Sequence, residues 1–155
     1  MGAVEVTLGF PGSVHEAETL WYDTNRWVAW IDGLDTIVSV DGDWPRVGAT
    51  VVWESGPAGR GRVTERVVEF EPLEGQTVEV QDDSLTGRQS ITFAPYDHAV
   101  EIALRLDYRV KKRSPITPIL DLLFIRNAVK ASLRATLNRF GVELAAVQAR
   151  RESLS

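Results

Sequence analysis

The chain has 155 residues, of which 44% are apolar and 25% are charged, and its formal net charge is −5. This length and apolar content predict one folded domain over residues 1–150, with 151–155 as a tail, and they exclude a wholly disordered chain. The acidic net charge argues against a general nucleic-acid binder, and the absence of cysteine excludes disulfides, thiol catalysis and cysteine-ligated zinc.

The first part of the chain is predicted to contain one strand followed by two short helices. Residues 4–10 alternate between apolar and polar side chains, as in a half-buried strand. Residues 13–16 carry the capping-box pattern S-x-x-E, which predicts a helix over residues 14–21. Asp23, or the threonine after it, can then cap a second short helix that ends near Trp30.

The middle of the chain is predicted to form six more strands, because segments rich in β-branched and aromatic residues alternate with turn residues. These segments are residues 36–40, 47–54, 62–71, 77–81, 88–94 and 99–110. Most connections are short, so we expect an antiparallel meander. The glycine-rich run 56–61 lacks the Lys-Ser/Thr ending of a phosphate-binding loop and is predicted to be a hairpin turn.

A long helix is predicted from Pro118 to about Gln148. Large apolar residues recur there at steps of three and four and build one apolar face. They are Ile119, Leu122, Val129, Leu133, Leu137, Phe140, Leu144 and Val147. Arg126 falls on the same angular sector. A cation there predicts either an anionic partner between helix and sheet or a side chain whose head reaches water.

This order of elements resembles the helix-grip fold of the START and polyketide-cyclase superfamily, also called SRPBCC, which includes the birch pollen allergen. The resemblance covers nearly the whole chain and rests on residues 13–53, on VTERVVEFEP at 63–72 and on residues 132–144. It implies an α+β fold in which a seven-stranded antiparallel sheet curves around the long C-terminal helix and leaves a cavity. Members bind lipids, sterols, polyketides and other apolar molecules, and some catalyse cyclisation or dehydration of polyketides.

In such a cavity, aromatic and aliphatic side chains would contact an apolar ligand, and a few polar side chains would orient it. The residues expected to do so are Trp30, Trp53, Glu65, Gln89, Phe93, Leu104, Tyr108, Leu122 and Arg126. For each of them, ordinary packing in the core or a position in water is the alternative.

The strand at residues 62–71 allows more than one register. One register turns Glu65 inward between two valines, and the other turns Arg66 inward together with Phe70. A bulge that separates the two apolar pairs is the third arrangement. An inward Glu65 could pair with Arg126, or its pKa could rise by burial and the carboxyl could act as a general acid or base.

Binding of a small hydrophobic molecule in the internal cavity is therefore the predicted function. A polyketide cyclase or dehydrase reaction in the same cavity is the alternative, so enzymatic activity is left open. A third hypothesis is an interaction module that docks through the apolar start of the final helix. The residues opposite the main stripe of that helix, around Phe124, indicate a cavity entrance or a homodimer contact.

No cofactor and no metal are expected, because His15 and His98 lack the spacing of metal ligands. The basic run 111–113 could touch anionic headgroups, but three cations are few for such a patch, so a solvated turn is expected. Neither a secretory signal nor a bilayer-spanning apolar segment is visible, which predicts a cytoplasmic protein without stable membrane insertion.

Overall fold

The computed structural model describes residues 2–57, 59–111 and 119–154. In chain order the elements are β1 (Gly2–Pro11), α1 (Val14–Trp21), a 3₁₀ helix (Thr24–Ala29), β2 (Leu34–Asp41), β3 (Thr50–Ser55), β4 (Arg62–Glu71), β5 (Gly75–Gln81), β6 (Leu85–Tyr96), β7 (Ala99–Val110) and α2 (Ile119–Leu154). The predicted α+β helix-grip fold is confirmed.

The seven strands form one antiparallel sheet in the order β1-β7-β6-β5-β4-β3-β2. The two short helices connect the two edge strands, β1 and β2, and all later connections join neighbours in the sheet. Strand β7 alternates as predicted, with buried residues at every second position from Val100 to Tyr108. Its inner face, together with those of its neighbours, forms one wall of the core.

Helix α1 begins with the predicted capping box. The Ser13 hydroxyl accepts a hydrogen bond from the Glu16 backbone N–H at 3.1 Å, and the Ser13 N–H donates to the Glu16 carboxylate at 3.0 Å. Two N–H groups that would otherwise lack partners at the start of the helix are thereby satisfied.

Strand β4 combines two of the arrangements that its sequence allowed. Val63, Glu65 and Val67 face the interior, so the charged residue is turned inward. A register shift against β5 lies between Val67 and Glu69, and beyond it Phe70 also packs against the core. One bulge thus lets the strand place both Val67 and Phe70 on the inner face.

Helix α2 packs its second half against the sheet and the two short helices. Leu137, Phe140 and Leu144 are buried there, and Leu133 is buried near the end of the first half, as the apolar stripe predicts. The Phe140 ring centroid lies 5.4 Å from that of Trp21, 5.2 Å from Trp30 and 6.3 Å from Phe10. This aromatic cluster fills the interior beside the second half of α2.

Candidate functional site

A cavity of about 270 Å³ lies between the sheet and the first half of α2. Its apolar wall is made by Leu85 and Leu106 from the sheet side and by Val129 and Leu133 from α2. Polar side chains also line it, and we call this polar part of the lining its rim; it includes Arg60, Asp82, Gln89, Asp32 and Ser132. An apolar wall with a few polar groups is the usual composition of a small-molecule site.

An ion pair joins two loops at the polar side of the cavity. Arg60, at the end of the β3–β4 loop, donates from Nε to Asp82 Oδ2 at 2.6 Å. The Asp82 side chain is fully buried, and its Oδ1 accepts from the backbone N–H groups of Ser84 and Leu85 at 2.7 and 2.9 Å. The carboxylate is therefore held by three donors, and its position fixes the arginine.

The Arg60 guanidinium also lies over an aromatic ring, with its carbon 5.5 Å from the Trp53 ring centroid. Trp53 Nε1 in turn donates to Glu65 Oε2 at 2.6 Å. Arg60, Trp53 and Glu65 therefore follow one another from the cavity rim into the core. A cation over an indole face and a hydrogen bond at the indole edge both hold this ring in one orientation.

Glu65 is only 7% exposed, and this burial has the largest influence on the pKa of its carboxyl. Burial raises the pKa of the Glu65 carboxyl, while the hydrogen bond from Trp53 and the positive charge of Arg60 act in the opposite direction. The uncharged acid is thus favoured over a wider pH range than for a glutamate in water. In that form the carboxyl has an O–H group that can donate a hydrogen bond.

The helix side of the cavity is tied to the loop before β2. Ser132 Oγ donates to Asp32 Oδ2 at 2.7 Å, and Arg139 Nη1 donates to Asp32 Oδ1 at 3.0 Å. The backbone N–H of Asp32 donates to Thr136 Oγ1 at 3.0 Å. Three consecutive turns of α2 are thereby anchored to one residue, which sets the distance between the two walls of the cavity.

The family described as "Polyketide cyclase / dehydrase and lipid transport" matches residues 1–144 of the chain. The chain belongs to this family. The resemblance to START-like SRPBCC proteins is thereby confirmed. No curated protein sequence is similar enough to the chain to count as a match.

Solved structures with the same fold cover this family member almost completely. A protein from Thermus thermophilus has a TM-score of 0.74 at 14% identity, with 94% of this chain and 99% of that chain covered. A START superfamily protein from Mycobacterium smegmatis has a TM-score of 0.73 at 12% identity, with 94% and 98% covered. Norcoclaurine synthase from Thalictrum flavum, solved with dopamine and hydroxybenzaldehyde, has a TM-score of 0.68 at 13% identity, with 94% and 87% covered. At these identities the likeness shows the fold alone.

In this polyketide cyclase/dehydrase and lipid transport family member, the residues predicted to contact a ligand are spread over several places. Gln89 lines the cavity, and Trp53 and Glu65 follow Arg60 inward from its rim. Phe93 and Leu104 are buried in the core. Their contact with a ligand stays a prediction.

Trp30 is completely buried in the aromatic cluster of α2, and its Nε1–H has no hydrogen-bond partner among the described residues. The cluster fills the space around this ring, so Trp30 contributes mainly to packing. Its role as a ligand contact also stays a prediction.

The remaining predicted residues lie towards the start of α2 and the end of β7. Tyr108 is 6% exposed, and burial raises the pKa of its hydroxyl while the positive charge of Arg126 lowers it. Arg126 itself is exposed and Leu122 is half-buried. Glu65 hydrogen-bonds Trp53 and not Arg126. A ligand contact of Arg126 or Leu122 stays a prediction, and residues 112 and 113 of the basic run lie outside the described part of the chain.

Two residues of the site, Arg60 and Asp82, were not among the predicted contacts. Arg60 belongs to the glycine-rich run that was assigned only to a turn, and Asp82 belongs to the turn between β5 and β6. An aspartate two residues before a serine is a signal for a side-chain-capped turn, and this turn is present. No local pattern indicates that the two loops meet, because the residues are 22 positions apart.

Proposed function

We propose that the protein binds a small amphipathic molecule in the cavity between the sheet and the first half of α2. The observation that carries this proposal is the cavity itself, whose wall is apolar and whose polar groups are gathered at the rim. A ligand would place its apolar body against Leu106, Val129 and Leu133 and its polar end near Arg60 and Gln89. Family membership supports this use of the fold.

The size of the cavity limits the ligand. At about 270 Å³ it lies just below the range of roughly 300–1,000 Å³ that is common for small-molecule sites. The aromatic cluster around Phe140 packs against the second half of α2, next to the cavity. One or two fused rings, or a short chain, would fit, whereas a sterol or a two-chain lipid would need the core to open.

The ion pairs at the rim determine which kind of polar group a ligand can carry. Arg60 is neutralised by Asp82, and Arg139 is neutralised by Asp32. A bound ion would therefore have to be desolvated without a free counter-charge, which is costly. A neutral hydroxyl or carbonyl group fits better, because it can accept from the guanidinium or from the Gln89 amide.

Filling the cavity should abolish binding. Val129→Phe adds a ring to the apolar wall, so we expect the affinity for a fused-ring probe such as 2-naphthol to fall at least tenfold. Fluorescence titration of the probe with the purified protein measures this affinity. Ala131→Phe, which adds a ring at an exposed position of the same helix, should leave the affinity within about twofold.

Two results would reject the binding proposal. One is that neither 2-naphthol nor any other compound of one or two rings binds the unaltered protein. The other is that Val129→Phe and Ala131→Phe have equal effects.

A polyketide cyclase or dehydrase reaction is the second candidate function, and the buried Glu65 favours it. Burial raises the pKa of the Glu65 carboxyl, which favours the protonated form that a general acid needs, and Glu65 is separated from the rim by Trp53 and Arg60 only. Glu65→Gln keeps an acceptor for Trp53 but has no acidic proton. If the protein dehydrates a small β-hydroxy ketone, this variant should lose at least a hundredfold in kcat while 2-naphthol binding is retained. Unchanged turnover would exclude Glu65 as the acid.

A further inference from the structure

The first half of α2 exposes two large apolar side chains next to each other. Phe124 is 74% exposed and Leu123 is 50% exposed. Large apolar residues exposed singly are ordinary on a protein surface, whereas adjacent ones in the first turns of a long helix are a feature to explain.

The exposed side of the helix that carries Leu123 also carries positive charge. Arg126, Lys130 and Arg134 are exposed, and within the described ranges none of them takes part in an ion pair. Between Asp121 and Glu143 the sequence has no acidic residue, although the chain as a whole has a net charge of −5. Lys130 and Arg134 follow Leu123 by seven and eleven residues, which places them on its side of the helix, and Phe124 lies at the edge of this side. We call Leu123, Phe124, Lys130 and Arg134 the docking face.

The docking face adjoins both the cavity and the end of the sheet. Ala128 is exposed on this part of the helix and also lines the cavity. Arg126, next to this face, lowers the pKa of the Tyr108 hydroxyl by its positive charge, so the end of β7 is near the start of α2. Two further exposed cations, Arg109 and Lys111, follow Tyr108 in sequence.

We propose that the docking face binds the surface of an anionic lipid bilayer. Phe124 and Leu123 would enter the boundary between headgroups and acyl chains, and the cations beside them would lie among the anionic headgroups. Helices that bind at the membrane interface typically combine aromatic and aliphatic side chains with flanking lysine and arginine. None of the described helices is long and apolar enough to cross a membrane, so the contact is peripheral.

Charge argues against a second copy of the chain as the occupant. In a two-fold interface the same surface meets itself, so the cations of one docking face would approach those of the other. Like charges brought together without counter-ions are repulsive.

Nucleic acid is disfavoured for a different reason. Interfaces with nucleic acid are polar and strongly cationic, whereas here two adjacent apolar side chains, Leu123 and Phe124, are exposed beside the cations. An anionic bilayer provides an apolar environment for Leu123 and Phe124 and negative charge for the cations.

Co-sedimentation of the full chain with vesicles tests the proposal. Vesicles of equal parts phosphatidylglycerol and phosphatidylcholine should bind the protein at low salt, and vesicles of phosphatidylcholine alone should bind it far less. One cation near an anionic surface contributes roughly a fivefold factor in partitioning, so Lys130→Gln with Arg134→Gln should weaken binding about 25-fold. Phe124→Ala should weaken it about tenfold or more, since the ring no longer leaves water.

Matched changes at the other end of the same helix serve as controls. Val142→Ala removes a side chain that is 68% exposed, and Arg150→Gln removes an exposed cation. Both should leave partitioning within about twofold, and circular dichroism should show that all variants are folded.

Several outcomes would overturn the proposal. They are equal partitioning onto both kinds of vesicle, equal losses in the control variants, and no partitioning at all. Binding of duplex DNA in place of vesicles, or a dimer that Phe124→Ala dissociates, would assign the face to another partner. The vesicle measurement needs no cavity ligand, so it can succeed when 2-naphthol does not bind, and fail when it does.

Discussion

Replacing Phe140 with alanine should lower the free energy of unfolding by about 3–5 kcal/mol. The Phe140 side chain is completely buried, and its ring meets Trp21, Trp30 and Phe10 edge to face. Its loss removes apolar contact area and leaves a cavity that three large rings cannot close. Urea unfolding followed by tryptophan fluorescence measures the change.

The control for Phe140→Ala lies two residues further along α2. Val142 is 68% exposed, so Val142→Ala should change the free energy of unfolding by less than about 0.5 kcal/mol. A loss below about 1 kcal/mol in Phe140→Ala would mean that the aromatic cluster does not stabilise the contact between α2 and the sheet.

Replacing Glu65 should have an effect that depends on the substituted residue and on pH. In Glu65→Ala the Trp53 Nε1–H loses its acceptor in the core, which costs about 1–3 kcal/mol, and the removed side chain leaves a void. Glu65→Gln keeps an oxygen for Trp53. At low pH it should therefore be about as stable as the unaltered protein.

The pH dependence follows from the direction of the pKa shift. Burial raises the pKa of Glu65 above its ordinary value of 4.5, so the folded state binds this proton more tightly than the unfolded state does. The stability that the protonated carboxyl contributes is complete below pH 4.5 and is lost as pH rises through the higher folded-state pKa. Glu65→Gln has no such proton and should become the more stable protein as pH increases.

Urea unfolding of both proteins at several pH values checks this result. A stability difference that stays constant with pH would show that the pKa of Glu65 is the same in the folded and the unfolded protein, so that the carboxyl is ionised at neutral pH. In that case the carboxyl could not serve as a proton donor, and the second candidate function would lose its support.

Much of the architecture is visible in the sequence because turn residues stand at the ends of the strands. The predicted bounds of β4 and β7 agree with the structure, and those of β6 are too short at both ends. The predicted segment 88–94 stops just before Pro95, yet Pro95 still pairs with Val100 across the hairpin. A proline is tolerated in the last positions of a strand, so it marks an end only approximately.

Strand β3, in contrast, was predicted to start too early. It was predicted to begin at Val47 but begins at Thr50, because Gly48 has φ of 93°, a left-handed conformation that a regular strand does not contain. Helix α2 was predicted to end near Gln148 and continues to Leu154. No glycine or proline follows Gln148 to stop it.

The polar part of the site could be predicted only in fragments. Alternation identified the two registers of β4 and the possible bulge, but it could not decide among these three arrangements. Periodicity gives the angle of Arg126 around the helix axis and not its depth, and beside the cavity that sector is open to water. The pairing of Arg60 with Asp82 depends on two loops that meet only once the sheet has formed.

The bulge in β4 also determines where the chain can change length. Val68 has no partner in β5, and the residues on either side of it pair with consecutive residues of that strand, Val78 and Thr77. A deletion of Val68 would leave the residues on both sides of it paired with β5 as before, so the same side chains would face inward. A deletion of Thr64 would shift the register between Thr64 and the bulge by one residue, so that inward-facing side chains there would face outward. Among natural relatives, insertions and deletions within this strand should therefore concentrate at Val68.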